Sequence, residues 1–299
     1  MTFPVRTIGM IGIGQLGLPI AKNLIQSGYE VVGFRRADRQ DFVAAGGEAL
    51  DSPADVAARA DLLLLCLPSE EAQIEVLHGE HGIVGALRPG QLIIDLGTFN
   101  KEFKLDQERA VRANGGLMLE AEVSGSPPMV SQRKAALYIG GDADLVARCK
   151  PVLEAITEHH FHLGPFGSAV AMKLVANYLV AIHTLAAAEA INLGTRAGFD
   201  PQLVADVIKQ GAGGSAMFAV RAPMMATRTF FPAPGPFTTL EKYLDMGQNL
   251  VKELGVSSPL FSTATPYFTR AIASGMGDQD ISAVIQILEA ESQPKQEEK

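Results

Sequence analysis

A glycine-rich turn near the start of the chain constrains the fold more than any other feature of the sequence. Gly12, Gly14 and Gly17 follow the apolar segment Thr7–Ile11, which is typical of a short buried strand. Apolar residues at helical spacing then occupy residues 18–25. A strand, a glycine turn and a helix in this order form the first part of a βαβ unit. The sequence therefore predicts an α/β fold that begins at this turn.

The same turn has the spacing of a dinucleotide-binding loop. The first glycine permits the tight turn, the second lets the backbone approach a pyrophosphate, and the third lets the helix pack on the strand. The N-terminus of the helix then offers N–H groups to the phosphates. An ordinary glycine-rich turn is the alternative, but the flanking strand and helix favour a cofactor site. The predicted dinucleotide-binding loop consists of Gly12, Ile13, Gly14, Gln15, Leu16 and Gly17.

The residues that follow the second predicted strand, Glu30–Phe34, indicate whether the cofactor is NAD or NADP. An acidic residue that binds the ribose 2′-hydroxyl of NAD is expected about 20 residues beyond the glycines. This chain has Arg35 and Arg36 there, and the next carboxylate is that of Asp38. A solvated basic pair is the alternative. Because guanidinium groups bind phosphate well, the two arginines favour NADP(H).

The composition argues against several classes of protein. A length of 299 residues is enough for two domains, and a formal net charge of −8 argues against a nucleic-acid-binding surface. Cys66 and Cys149 form no metal-binding or disulfide pattern, which fits reduced thiols in a cytoplasmic protein without a metal. The first residues lead directly into the first strand, so we expect no signal peptide.

The longest apolar stretch, residues 169–190, is predicted to be a buried helix rather than a membrane span. It contains polar side chains that are costly in a bilayer, namely Lys173, Asn177, His183 and Glu189. Because the stretch is apolar nearly all round, we expect a central helix packed on every side. The polar residues 292–299 are predicted to be disordered.

Strand and helix patterns alternate along the first half of the chain. Apolar runs predict further strands at 61–66, 91–95, 117–123 and 136–139. Helices are predicted at 53–59, 99–113 and 142–156, the first with Ser52 as its N-cap and Pro53 at its first position. This alternation predicts a doubly wound, Rossmann-type, mostly parallel sheet.

After residue 167 the pattern changes to helical spacing broken by Gly and Pro loops. We predict an NADP-binding Rossmann domain over residues 1–164 and an all-helical substrate and oligomerisation domain over 165–291. A cleft between two such domains is where a substrate would meet the nicotinamide.

Several side chains in these elements could carry chemistry. Lys173 and Asn177 share one face of the apolar helix, because they lie four residues apart. Lys173 could instead be a structural lysine that pairs with a carboxylate or extends to the surface. Ser124 and Thr98 follow predicted strands at the edge where α/β sheets bind ligands. A turn serine and a helix-capping threonine are the alternatives.

Four motifs, in order along the chain, resemble those of the β-hydroxyacid dehydrogenases, the family of 3-hydroxyisobutyrate dehydrogenase and of glyoxylate and semialdehyde reductases. The glycine turn is similar to the family's cofactor signature. Residues 120–126 (Glu-Ala-Glu-Val-Ser-Gly-Ser) resemble its substrate-binding segment, Asp-Ala-Pro-Val-Ser-Gly-Gly. Residues 164–167, with Lys173 and Asn177, resemble its catalytic Gly-x-x-Gly and Lys-x-x-x-Asn segments. Residues 242–244 (Lys-Tyr-Leu) resemble its later Lys-Asp-Leu motif.

The resemblance implies a role for each matching residue. Lys173 would donate and accept the proton at the substrate oxygen, and Asn177 would help to hold the substrate. The substrate carboxylate would bind to a short segment formed by Ser124, Gly125 and Ser126. Lys242 would close over the cofactor, and the nicotinamide side of the cofactor channel would be lined by Leu67, Pro68 and Thr98.

The resemblance also implies the activity. It is that of an NADP(H)-dependent oxidoreductase interconverting a small β-hydroxyacid and its semialdehyde or keto acid. Reduction is the expected direction because NADP more often serves reductions. Relatives usually associate through the helical domain, so we expect a homodimer or homotetramer, with no nucleic-acid or membrane partner.

Three residues depart from the family pattern near the expected pocket. Glu122 stands where proline is usual, Ser126 where the second glycine is usual, and Tyr243 where aspartate is usual. An imine reductase on a similar scaffold is therefore an alternative, although such enzymes commonly replace the lysine that is present here as Lys173. A non-catalytic NADP-binding interaction module is a third hypothesis, and loss of that lysine would favour it.

Overall fold

The computed structural model describes residues 5–292, and these divide into two units after Lys173. The boundary predicted from the sequence, between residues 164 and 165, falls just before the long helix that contains this division. Apart from Ser292, the tail predicted to be disordered lies outside the described residues.

An eight-stranded sheet forms the centre of the first unit, with the spatial order β3-β2-β1-β4-β5-β6-β7-β8. The first six strands are parallel to one another, β7 is antiparallel to β6, and β8 is parallel to β7. This confirms the predicted doubly wound, mostly parallel sheet. The strands are β1 (Thr7–Ile11), β2 (Glu30–Phe34), β3 (Glu48–Ala49), β4 (Leu62–Leu65), β5 (Leu92–Asp95), β6 (Leu117–Ser124), β7 (Ala136–Gly140) and β8 (His159–Gly164).

The strand order reverses at β1, and this reversal determines where a ligand can bind. The chain passes from β1 outward through β2 and β3, then returns to place β4 on the other side of β1. Parallel sheets of this kind bind ligands beyond the carboxyl ends of their strands, at the point of reversal. The loops that follow β1, β4, β5 and β6 all lie at this edge.

Helices cover the sheet because its central strands are apolar on both faces; for example, all four residues of β4 are buried. The predicted cap of α3 is confirmed, since the Ser52 side chain accepts a hydrogen bond from Asp55 N and Pro53 opens the helix. The helices are α1 (Gly17–Gln26), α2 (Gln40–Ala44), α3 (Pro53–Arg59), α4 (Glu70–His78), α5 (Lys101–Ala113), α6 (Pro127–Ser131) and α7 (Ala143–Ile156).

The prediction of a helix from residue 99 is wrong by two residues. Helix α5 begins at Lys101, and its N-cap is Asn100. Phe99 is buried before the helix begins. The hydroxyl of Thr98 donates to Glu122 instead of capping the helix, so the capping alternative for Thr98 is also wrong.

The second unit is helical, as predicted. Among residues 174–292 the only β feature is an isolated bridge between Pro236 and Asp280. An apolar core that includes Phe237, Phe261 and Phe268 holds the helices together. The helices are α8 (Ser168–Arg196), which begins in the first unit, α9 (Pro201–Ile208), α10 (Ala216–Thr227), α11 (Phe237–Leu254), α12 (Pro259–Ala271) and α13 (Ile285–Glu291).

Helix α8 is the apolar stretch of the sequence, and it is not packed on every side. Met172, Val175 and Leu179 are 40%, 50% and 45% exposed, at a spacing that places them on one stripe. The prediction of packing all round is therefore wrong in the single chain. Within residues 5–292, α8 is also the one helix that is long and apolar enough to cross a membrane, with 39% of its most apolar window buried.

Candidate active site

The glycine turn after β1 has the shape that the sequence predicts. Gly12 has φ +94°, and a Cβ there would lie 2.1 Å from the carbonyl oxygen of Cys66. A Cβ on Gly17 would lie 2.0 Å from the carbonyl oxygen of Gly12. A Cβ on Gly14, by contrast, would meet no atom within 4 Å. The turn is therefore closed toward β4 and α1 and open above Gly14, as a pyrophosphate requires.

The start of α1 suits an anion next to this turn. Its N-cap, Leu16, has no side-chain cap, and its first turn contains no acidic residue. The side chain of Ile13 is buried in the core, so at this position only the backbone could face a ligand. The N–H groups at the helix start can therefore bind phosphate oxygens without competition from a side chain.

Arg35 and Arg36 follow β2, at the edge of the sheet where the ribose of a dinucleotide is expected. Arg36 forms an exposed ion pair with Glu75, with 3.0 Å between Nη1 and Oε2. Such exposed pairs contribute little stability, so Arg36 could exchange this partner for a phosphate. Arg35 donates to the carbonyl of Asp38, whose carboxylate accepts a hydrogen bond from Gln40 N at the start of α2. The carboxylate that follows the two arginines in the sequence is thus bound to the start of α2.

A third arginine, which the sequence analysis missed, shapes this loop. The guanidinium of Arg39 lies 5.2 Å from the centre of the Phe34 ring. It donates to the carbonyl oxygens of Arg35 and Leu50, both at 2.7 Å. Arg39 therefore fixes the backbone at Arg35.

The other candidate residues of the first unit follow parallel strands at the same edge. Leu67 and the exposed Pro68 follow β4, and Thr98 follows β5. Ser124 is the last residue of β6, so it belongs to a strand rather than to a turn. Gly125 and Ser126 come next, and Ser126 is the N-cap residue of α6.

Lys173 lies in the second turn of α8 and is buried, with 7% of its surface exposed. Its Nζ donates to the carbonyl oxygen of Val123 at 2.6 Å, which places the amine beside the end of β6. The alternative in which this lysine extends to the surface is therefore wrong. Burial lowers the pKa of the Lys173 amine, and the negative charge of Glu122 acts in the opposite direction.

Asn177 lies one turn after Lys173 on the same helix, and it is 9% exposed. Its Nδ2 atom is buried and has no hydrogen-bond partner among the residues that the structure describes. Unpaired buried amide donors are unusual in folded proteins because they lose hydration without compensation. This donor is thus available to a ligand.

A buried cluster of four charged side chains lies at the same end of the sheet. Lys104 of α5 is fully buried, and its Nζ lies 2.6 Å from Glu122, 3.4 Å from Asp95 and 3.5 Å from Glu120. It also donates to the carbonyl of Gly97 at 2.6 Å. Burial lowers the pKa of the Lys104 ammonium, but the three carboxylates outweigh this effect and raise the pKa.

Two residues of this cluster connect to the predicted site. Glu120 accepts hydrogen bonds from the backbone N–H groups of Gly167 and Ala169, at 2.6 and 2.8 Å, and so fixes the start of α8. Glu122 accepts from the Thr98 hydroxyl. Burial raises the pKa of the Glu122 carboxyl, whereas the charge of Lys104 and the hydrogen bonds from Lys104 and Thr98 lower it.

Comparison with known proteins identifies the family. The model of the NAD binding domain of 6-phosphogluconate dehydrogenase matches residues 7–164, and that of the NAD-binding domain of NADP-dependent 3-hydroxyisobutyrate dehydrogenase matches residues 167–288. Glyoxylate/succinic semialdehyde reductase 2, chloroplastic, from Arabidopsis thaliana is 30% identical over 95% of this chain and 80% of its own length. L-threonate dehydrogenase from Cupriavidus necator is 33% identical over 94% of this chain and 96% of its own length.

The chain belongs to the β-hydroxyacid dehydrogenase family. The crystal structure of 3-hydroxyisobutyrate dehydrogenase from Salmonella typhimurium has a similar fold, with a TM-score of 0.85 at 27% identity over 94% of this chain and 99% of that one. The resemblance stated from the motifs is therefore confirmed. This β-hydroxyacid dehydrogenase is an oxidoreductase that acts on CH–OH groups with a nicotinamide cofactor.

One predicted site residue of this dehydrogenase belongs to the second unit. Lys242 is half-buried in α11 of the second unit. Its closure over the cofactor stays a prediction, as do the ligand contacts of the other site residues.

Within residues 5–292 no group of three His, Cys, Asp or Glu side chains is arranged to hold a metal ion.

The sequence analysis missed Lys104, although the sequence contains a signal for it. Glu120 and Glu122 alternate in an otherwise apolar strand, so both carboxylates lie on one face of β6. Buried carboxylates require a cation or hydrogen bonds. The buried residues of α5 are Lys104, Gln107 and Val111, a helical spacing that turns this lysine toward the sheet.

Proposed function

We propose that this dehydrogenase is an NADPH-dependent reductase of a small aldehyde or keto acid that carries a carboxylate, with Lys173 as the general acid. The observation that carries the proposal is the buried Lys173 amine, held 2.6 Å from the Val123 carbonyl directly before Ser124. It joins a proton donor to the segment that resembles the family's substrate-binding motif. Burial disfavours the charged form of a lysine, so a buried amine can exchange its proton more readily than an exposed one.

The residues at the carboxyl edge of the sheet fit the proposed cofactor. NADPH, when bound, supplies a hydride to the carbonyl carbon of the substrate. The glycine turn and the start of α1 would hold its pyrophosphate. Arg35 and Arg36 would bind the 2′-phosphate, where an NAD-dependent enzyme would need a carboxylate. The nicotinamide would lie near the residues that follow β4 and β5, namely Leu67, Pro68 and Thr98.

The chemistry at the carbonyl oxygen explains why a buried amine is useful. Negative charge develops on this oxygen during reduction, and an ammonium group stabilises the charge and then donates a proton. Burial lowers the pKa of Lys173, so its proton is easier to give up than that of an exposed lysine. The same amine can accept the proton when the reaction runs as an oxidation.

The substrate class follows from the motif segment and from the relatives. The relatives' names include glyoxylate, succinic semialdehyde and L-threonate, all of which are small carboxylates. We propose that Ser124, the backbone at Gly125, and Ser126 bind the substrate carboxylate. The buried amide donor of Asn177, which has no partner among residues 5–292, would bind a second oxygen of the substrate.

We further propose that the enzyme is a cytoplasmic homodimer or homotetramer in which Lys242 closes over the bound cofactor. The apolar stripe on α8, formed by Met172, Val175 and Leu179, supports self-association because a second copy would remove it from water.

The test is the Lys173→Ala variant. Turnover should fall by about 10²–10⁴-fold, as expected for loss of general acid catalysis, while NADPH affinity stays within about threefold. Turnover is followed by NADPH absorbance with glyoxylate, succinic semialdehyde, methylmalonate semialdehyde and tartronate semialdehyde, and NADPH binding by its fluorescence. Lys150→Ala removes an exposed lysine of the same unit and serves as the control. Turnover within about tenfold of the wild type would show that the proton comes from another group.

A further inference from the structure

We propose that Glu122 is a positioning residue whose carboxylate, anchored by Lys104 and Thr98, keeps the proton on the Lys173 amine. The inference rests on the proposed function, since it concerns the amine that we propose as the general acid. It assigns a role to a residue that departs from the family motif.

The geometry leaves the Glu122 carboxylate with little freedom. The residue is fully buried, and its Oε1 atom accepts a hydrogen bond from Lys104 Nζ at 2.6 Å. Its Oε2 atom accepts one from the Thr98 hydroxyl. A carboxylate with both oxygens bound cannot turn toward a substrate or toward water. Glu122 therefore acts through its charge and not by contact with a ligand.

This charge lies next to the anchor of the Lys173 amine. Lys173 donates to the carbonyl of Val123, which directly follows Glu122 in β6. The charge of Glu122 raises the pKa of Lys173 and so opposes the lowering caused by burial. An attraction between buried opposite charges is screened far less than one at the surface.

The cluster around Glu122 contains three carboxyl groups and one ammonium group. Lys104 from α5 faces Glu122 together with Asp95 from β5 and Glu120 from β6. The positive charge of Lys104 is thus shared among three carboxyl groups and does not act on Glu122 alone. If Lys104 faced Glu122 alone, the pair would be neutral and would attract the Lys173 ammonium only weakly.

The test is the pH dependence of reduction in the Glu122→Gln variant. Gln keeps the size of the side chain, and Lys104 retains Asp95 and Glu120 as counter-ions. Reduction needs a protonated Lys173, so kcat falls as pH rises through the pKa of this amine. This fall is the alkaline limb of the pH–rate profile. Without the Glu122 charge, the limb should move to lower pH by about one pH unit or more, which is the range for loss of a neighbouring opposite charge.

Three further variants sharpen the result. Glu120→Gln removes one carboxyl group from the same cluster and strand and should move the limb by less than Glu122→Gln does. Glu122→Asp keeps the charge and should retain most of the wild-type profile. Glu122→Met removes the charge with an apolar side chain and is used if Glu122→Gln does not fold. An unchanged limb in a folded, uncharged Glu122 variant would overturn the proposal.

A second measurement separates this inference from the proposed function. The rate at which acetic anhydride labels Lys173, followed by mass spectrometry against pH, reports the protonation of the amine without any substrate. Its midpoint should also move down by about one pH unit or more in Glu122→Gln. If Lys173→Ala kept its turnover while this midpoint moved, the catalytic role would fail and the role of Glu122 would stand. A labelling midpoint that stays the same in Glu122→Gln would overturn the role proposed for Glu122.

Discussion

Replacement of Lys104 by methionine should destabilise the first unit, and more so at higher pH. Lys104 is fully buried within 3.5 Å of three carboxylates. Methionine has a similar length and adapts well to core packing, so the variant removes the charge and leaves little cavity. What changes is the electrostatic state of Asp95, Glu120 and Glu122.

The magnitude follows from the separations. With an effective dielectric constant of about 20, opposite charges at such distances attract by about 5–6 kcal/mol each. Desolvation of the four groups and repulsion between the carboxylates offset most of this attraction in the folded wild type. In the variant the desolvated carboxylates remain without the cation. Removal of one partner from a buried ion pair costs about 3–5 kcal/mol, and we expect this loss of unfolding free energy at pH 8.

The sign of the pH dependence follows from Glu122. Its folded-state pKa is raised by burial, and in the variant the charge of Lys104 no longer lowers it. A carboxyl with a raised folded pKa binds its proton more tightly in the folded state, so stability is highest at low pH. That stability is lost as pH rises from the pKa of the carboxyl in the unfolded state to its pKa in the folded state, by about 1.4 kcal/mol per pH unit for one proton. The deficit of Lys104→Met should thus be smaller at pH 5.5 than at pH 8.

Urea unfolding at both pH values measures this difference. Far-UV circular dichroism is the suitable signal because the chain has no tryptophan. Lys101→Met, in the same helix but exposed, is the matched control and should stay within about 0.5 kcal/mol of the wild type. A loss below about 1 kcal/mol at pH 8, or an equal loss at both pH values, would refute the role given to Lys104.

Two other changes test the cofactor and the assembly. Arg35→Ala should weaken NADPH binding at least about tenfold while NADH binding changes little, because a charge-assisted hydrogen bond to phosphate contributes about 1.5–3 kcal/mol. Fluorescence titration measures both affinities, and equal losses would contradict recognition of the 2′-phosphate. Leu179→Glu places a charge in the apolar stripe of α8 and should lower the molar mass measured by size-exclusion chromatography with light scattering. A wild-type protein that is already monomeric would remove the basis for this expectation.

Most of the first unit could be predicted because its strands are apolar on both faces. The runs at Leu62–Leu65 and Leu92–Asp95 have no other good interpretation in an alternating chain. Strand β8 gives no such signal, since His159, His160 and His162 place polar side chains along a largely exposed edge strand. Edge strands need no apolar face, and for this reason periodicity misses them.

Helix α8 shows the limit of composition in the second unit. Its apolar residues correctly indicate a helix, but they do not reveal whether each is covered by the same chain. Leu179 is 45% exposed, whereas Ala181 and Leu185 are buried in the core of the unit. Apolar residues indicate which surfaces are removed from water in the final assembly. A single sequence therefore cannot distinguish a core from a subunit interface.

The candidate residues could be found wherever topology alone brings them together. Parallel strands end at one edge, so residues after β1, β4, β5 and β6 meet there whatever their sequence separation. Lys104 could not be found in this way, because it reaches the cluster from the first turn of α5, on the buried face of that helix. Its contact with Glu122 depends on the packing of α5 against the sheet and not on a strand end.

The pair formed by Lys104 and Glu122 resolves the doubt that the motif departure raised. A carboxylate in place of the usual proline would alter the substrate pocket if it were exposed there. Here Glu122 is fully buried, and both of its oxygens are bound to Lys104 and Thr98. Its charge can nevertheless act on Lys173, because electrostatic effects extend beyond contact distance in a buried region. The substitution should therefore change the pH range of the reaction and leave the class of substrate unchanged.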